Sequence, residues 1–220
     1  MIRVKICGVT RPDDARVAVE AGADAVGLNF WRGSKRFIGL EAARAIVATL
    51  PSEVLRIGVF VDAGFDEIVR IATALELDNV QLHGDEPPEL LVALDGLAFK
   101  AIRLRDDGDL ARIPAYLVPP DPVFLIDTFD AEAPGGTGLV GRWDLARQAT
   151  KLGRLLLAGG LTPENVAAAL DSVHPWGVDT ASGVESAPGI KDPARVRAFV
   201  DAVRRWERDT FQRLRETDDE

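Results

Sequence analysis

Short apolar runs, eight in all, alternate with longer amphipathic segments from end to end of the 220-residue chain. No linker rich in Ser or Pro and no shift of composition interrupts them. Strict strand–helix alternation calls for an all-parallel sheet. Eight such strands equal a closed barrel, whereas an open doubly wound sheet usually has fewer. The sequence therefore predicts the α/β class and, within it, a single-domain (β/α)8 TIM barrel over residues 1–220, with the charged tail "RETDDE" frayed.

The elements follow in order. "RVKIC" is the first strand, bounded by a glycine, and "RPDDARVAVEAGA" the first helical pattern. "DAVGLNF" leads to "LEAARAIVATL", "LRIGVFVD" to "FDEIVRIATALEL", and "NVQLH" to "PPELLVALDG", whose proline is tolerated in a first helical turn. After "LAFKAIR" the segment from Asp106 to Pro120 is less regular and is assigned one short helix. "PVFLID" runs into a loop containing "PGGTG", Pro134 to Gly138, whose glycines allow close approach to a ligand. "RLLLAGG" precedes "TPENVAAALDSV", where Thr162 is the expected cap and Pro163 the first helical residue. "WGVDTAS" is the last strand. A short extra helix is expected at Ala181-Ser182-Gly183-Val184, and a long one from Asp192 to about Arg215.

Strand parity turns this fold into a test, because side chains alternate in and out. If Val4 and Ile6 face the helices, Lys5 and Cys7 face the barrel interior. Asn29, His83, Asp127 and Asp179 each stand at or near the end of a strand. That is the face on which barrels of this kind carry their active sites. Gly159 and Gly160 after the seventh strand, with Ser182 and Gly183 after the eighth, are the expected anion cradle: glycine lets the backbone close on a ligand, and free N–H groups point at it. Arg36, in "RGSKRFI" after the second strand, offers a fork of donors for a carboxylate.

Composition bounds the function. Hydrophobic residues make up 47% and charged residues 28%, enough for a sizeable core and an ordinary soluble surface. A net charge of -9 argues against nonspecific nucleic-acid binding and requires an anionic substrate to be held by local donors. The single cysteine cannot form an internal disulfide, which suits a reducing compartment. No signal peptide or membrane-length apolar run is read, so the expectation is a cytoplasmic protein with no membrane or nucleic-acid partner.

In this order, "VKICGVT", "VGLNF", "GVFVD", "VQLHGDE", "FLIDT", "GGTG", "LAGGLTPENV", "SGVES" and "PGIKD" resemble the phosphoribosylanthranilate isomerases of tryptophan biosynthesis, over nearly the whole chain up to the last helix. The resemblance implies a (β/α)8 barrel that rearranges N-(5-phosphoribosyl)anthranilate into 1-(2-carboxyphenylamino)-1-deoxyribulose 5-phosphate with no metal and no coenzyme, as a monomer or homodimer. It implies Cys7 as general base, Asp127 as general acid, and Arg36 as the grip on the anthranilate carboxylate. Two departures stand out: Lys35 where the family often has proline, which leaves the stiffness of that loop open, and "DTASG" where it often has "DVSSG".

Other readings meet specific obstacles. An indole-3-glycerol-phosphate synthase needs a lysine acid and a glutamate base at strand ends, but Lys100 lies inside its strand and no strand ends in glutamate. A metal-dependent epimerase needs clustered histidines and carboxylates, and His83 and His174 fall on opposite faces. An isomerase that also serves histidine synthesis typically carries an aspartate where Cys7 stands. A catalytically silent phosphate-binding barrel stays open and is separated by a turnover assay.

Overall fold

The computed structural model describes residues 1–119, 123–128 and 142–218. Eight parallel strands pair in chain order and close on themselves, β1 against β8. They are β1 (Arg3–Ile6), β2 (Ala25–Asn29), β3 (Leu55–Phe60), β4 (Asn79–Leu82), β5 (Ala98–Arg103), β6 (Val123–Asp127), β7 (Arg154–Ala158) and β8 (Gly177–Thr180). The intervening helices are α1 (Pro12–Ala21), α2 (Leu40–Val47), α3 (Phe65–Leu75), α4 (Pro88–Ala93), α5 (Asp107–Arg112), α6 (Trp143–Ala149) and α7 (Val166–Val173), and α8 (Pro193–Asp218) completes the ring.

Strand parity is as expected. Val4, Ile6, Val26, Leu28, Phe124 and Ile126 pack outward into the large core shared with the helices. Ala25, Ile57, Phe99, Ala101, Leu125 and Leu156 fill a separate core inside the barrel. The period-two alternation that lets one strand serve both cores also carries polar residues up the barrel interior to its C-terminal mouth. The "PGGTG" loop lies outside the described residues.

Three local features differ from the sequence reading. Helix α6 is formed by "WDLARQA", a segment for which no helical pattern was read; its core side is Trp143, Leu145, Ala146 and Ala149. Helix α7 begins at Val166 rather than near Pro163. The Thr162 hydroxyl accepts from the Glu164 N–H at 3.2 Å, but in a turn over residues 162–165. The Asn165 side chain spans that turn, accepting from Thr162 N at 2.8 Å and donating to Gly160 O at 3.0 Å. Short polar side chains here compete with the helix for backbone groups and delay its start. Finally, β9 (Glu185–Ala187) and β10 (Ile190–Lys191) form an unexpected antiparallel hairpin between β8 and α8. The long last helix starts within a residue of the expected Asp192, which caps α8, accepting from Ala194 N at 2.8 Å and Arg195 N at 3.2 Å.

Candidate active site

The mouth at the strand C-termini holds a cavity of about 310 Å3 lined by Cys7, Arg36, His83, Asp127, Gly159, Gly160, Asp179, Ser182 and Gly183. All nine of the site residues expected from sequence meet there. A larger hollow of about 630 Å3 opens at the opposite end, among Arg3, Leu55, Phe99 and Trp176. It gathers none of the nine, and in this architecture chemistry belongs to the C-terminal face.

Cys7 follows β1 directly, its N–H donating to Thr180 O at 2.8 Å. Gly8 then turns the chain at φ +69°, and a β-carbon there would lie 2.4 Å from Arg36 Cδ. Glycine thus opens the backbone turn and makes room for the arginine to lie over it. The Arg36 loop is tied at its root: Asn29 Oδ1 accepts from Trp31 N at 2.9 Å and Asn29 O from Ile38 N at 2.9 Å. At its tip, Ser34 Oγ accepts from Arg36 N at 3.0 Å. These bonds hold the loop around Lys35.

Arg36 does not present its whole fork to the cavity. Its Nε and Nη2 each donate to Glu185 at 2.6 Å, leaving Nη1 with no hydrogen-bond partner among the described residues. The Glu185 bond is the main cause holding the Arg36 guanidinium above its ordinary pKa. Glu185 itself is buried, which alone would raise its pKa. The Arg36 bond and the Lys191 charge outweigh burial and hold it below the usual carboxylate range. Lys191 donates to Glu185 Oε1 at 3.1 Å and Ala181 O at 3.0 Å, and burial pulls its pKa down despite that partner.

Below Cys7, Lys5 Nζ donates to Asp179 Oδ1 at 2.9 Å with the lysine side chain 1% exposed. Burial pushes the Cys7 thiol up, and the Lys5 charge is the largest influence opposing it. Across the mouth, His83 Nε2 lies 3.6 Å from Asp127 Oδ2. The other ring nitrogen of His83 meets Gln81 Nε2 at 2.9 Å, while Gln81 Oε1 is buried with no partner among the described residues.

The two glycine loops touch each other. Gly159 and Gly160 adopt φ of +97° and +65°, where only glycine sits without strain. A β-carbon on Gly183 would lie 1.9 Å from Leu161 O, and Thr180 Oγ1 donates to that same carbonyl at 2.7 Å. Gly183 is therefore required for the loops to close on one another, whatever they bind. Ser182–Val184 form a single 3-10 turn where the short extra helix was expected.

A family model of N-(5'phosphoribosyl)anthranilate (PRA) isomerase matches residues 4–202. The chain belongs to that family. It is 48% identical to the N-(5'-phosphoribosyl)anthranilate isomerase of Geobacter sulfurreducens over 206 residues, covering 94% of this chain and 100% of the relative. The Pseudomonas aeruginosa enzyme is 47% identical over 210 residues, covering 94% and 98%. The crystal structure of the Thermotoga maritima phosphoribosyl anthranilate isomerase superposes with a TM-score of 0.84 at 43% identity, covering 93% of this chain and 99% of that one. A PRA isomerase crystallised with reduced 1-(o-carboxyphenylamino)-1-deoxyribulose 5-phosphate gives a TM-score of 0.82 at 42% identity, with the same coverage.

Against that family background, the sequence reading missed the residues that hold the site residues in place. Glu185, Lys191 and Gln81 carry no chemical signal of their own within their motifs, and strand parity turns Lys5 inward without naming its partner. A lysine between the apolar residues Val4 and Ile6, on the inward face of its strand, is the available signal, since a buried ammonium demands a partner.

Proposed function

We infer that this PRA isomerase family member carries out the Amadori rearrangement of N-(5-phosphoribosyl)anthranilate, with Cys7 as base and Asp127 as acid. The observation that carries the assignment is the placement of Cys7 and Asp127 on the wall of one cavity that also contains both glycine loops and Arg36. Asp127 protonates the furanose oxygen, and the C1'–O bond breaks to leave a protonated imine. The Cys7 thiolate takes the C2' proton, and the released electron pair moves to C1'=C2' and neutralises the nitrogen, giving the enolamine. Loss of the 2'-hydroxyl proton and protonation at C1' complete the ketone. The cycle closes when the Cys7 thiol releases its proton and Asp127 regains one.

The remaining residues bind. Backbone groups around Gly159, Gly160, Ser182 and Gly183 take the 5'-phosphate, which suits a protein of net charge -9 because main-chain dipoles need no lysine. The free end of Arg36 meets the anthranilate carboxylate, and Gln81 Oε1 accepts from a sugar hydroxyl. His83 and Asp179 complete the polar wall. No helix among the described residues is long and apolar enough to cross a membrane, and with the lone thiol this supports a cytoplasmic setting. Loss of the anthranilate-type fluorescence of the substrate is the test. Turnover supports an enzyme, and binding without turnover supports a silent phosphate-binding barrel.

A further inference from the structure

Cys7 is ringed by fixed charges from several elements. Lys5 comes from β1, Asp179 from β8, Lys191 from β10 and Arg36 from the loop after β2, the last two joined through Glu185 on β9. His83 on the β4 side and Asp127 on β6 face it across the mouth. Gly27 on β2 marks how close the nearest of these lies. A β-carbon there would be 2.8 Å from Cys7 Sγ and 3.2 Å from Lys5 Nζ, so both atoms border the same empty spot. Lys5 cannot swing away, because its side chain is 1% exposed and Asp179, its register partner on β8, holds it at 2.9 Å.

Charge counting within this cluster is informative. Lys5, Arg36 and Lys191 are cationic, while Asp179 and Glu185 are their carboxylate partners through the bonds at 2.9, 2.6 and 3.1 Å. Within these ion pairs three cations share two carboxylates, in a protein whose overall charge is -9. Unbalanced buried charge is costly, and the Cys7 thiol is the acidic group that shares the spot beside Gly27 with Lys5.

We propose that Lys5 is a positioning residue for the reaction, clamped by Asp179 so that its ammonium supplies the counter-charge that favours the Cys7 thiolate against the burial that opposes it. The proposal rests on the reading of Cys7 as base. Lys5 is suited to the task because it stays charged. Burial works to lower its pKa, but the Asp179 and Cys7 charges outweigh burial and hold it above the ordinary lysine value. Asp179 has a divided effect: it fixes Lys5 in place, yet its own negative charge opposes a second anion beside it. The two partners therefore act on Cys7 with opposite signs.

That opposition gives the test. Cys7 is the sole cysteine, so the pH dependence of iodoacetamide alkylation of the substrate-free protein reports its thiolate alone. Lys5→Met is expected to move the profile to higher pH by about one unit, or about tenfold slower alkylation at a fixed pH on the rising limb. Lys5→Arg keeps the charge and stays near wild type, and the kcat of Lys5→Met recovers as pH is raised. Asp179→Asn is expected to move the profile the other way, to lower pH. A Lys5→Met profile that superimposes on wild type overturns the proposal, as does an upward shift in Asp179→Asn. If Lys5→Met does not fold, judged by circular dichroism, the sign of the Asp179→Asn shift decides. Alkylation needs no substrate, so this result is independent of the functional reading, which fails instead if Cys7→Ala still turns over phosphoribosylanthranilate.

Discussion

The two sides of the barrel mouth are built differently. On the β1–β8 side, Lys5, Lys191, Glu185 and Asp179 have side chains 1%, 0%, 5% and 9% exposed, locked in ion pairs around Cys7. On the β4–β6 side, His83 and Asp127 are 28% and 22% exposed and 3.6 Å apart. The contrast matches what each side is asked to do. A thiol that has to act as a base where burial opposes its anion needs fixed cations beside it. An acid needs only a proton to give and access to the substrate, so it can stand at a more open edge.

Several measurements sharpen or break this contrast. The largest effect is expected on the open side: Asp127→Asn should lower kcat by about a hundredfold or more, since an amide cannot supply the ring-opening proton. Near-normal turnover would move the acid role elsewhere on the rim. Arg36→Met should raise KM by roughly ten- to a hundredfold with a smaller fall in kcat, because a carboxylate contact acts on ground and transition states together. An unchanged KM with a large kcat loss would contradict the binding role. Inorganic phosphate should inhibit competitively against substrate, by occupying the glycine loops. Noncompetitive inhibition would separate the phosphate from this mouth. Gly183→Val is expected to lower Tm, because its side chain would meet the Leu161 carbonyl.

The smallest effect is a matter of stability. The pKa of Glu185 is depressed in the fold, so its contribution is present above the ordinary glutamate pKa and is lost as pH falls through its lowered value. Urea unfolding of wild type against Glu185→Gln should therefore show a stability difference at pH 7 that shrinks with acidification below the usual carboxylate range. A difference that stays constant down to pH 3 would remove the ion pair from the account.

The legible part of this molecule was the part governed by short-range rules. Strand parity placed Lys5 and Cys7 inward, and the strand-end positions of His83, Asp127 and Asp179 brought them to one rim. Helix α6 escaped because its short pattern carries its core side on Trp143, Leu145, Ala146 and Ala149 after a long glycine-rich stretch. The start of α7 was misplaced because Asn165, rather than Pro163, decides it. The supports of Arg36 and Cys7 were illegible for another reason. Arg36 and Glu185 are 149 residues apart, and Lys5 and Asp179 are 174 apart, so only closure of the barrel joins them. Motifs displayed the reacting groups, while the ion pairs that tune them depend on tertiary structure.

The account stands most directly on Cys7. Fluorescence-monitored turnover of phosphoribosylanthranilate by Cys7→Ala should show kcat reduced by at least about a hundredfold with KM within a few-fold of wild type, the pattern of a lost base in an intact binding site. A kcat within a few-fold of wild type would contradict it and return Cys7 to the role of a small packing residue.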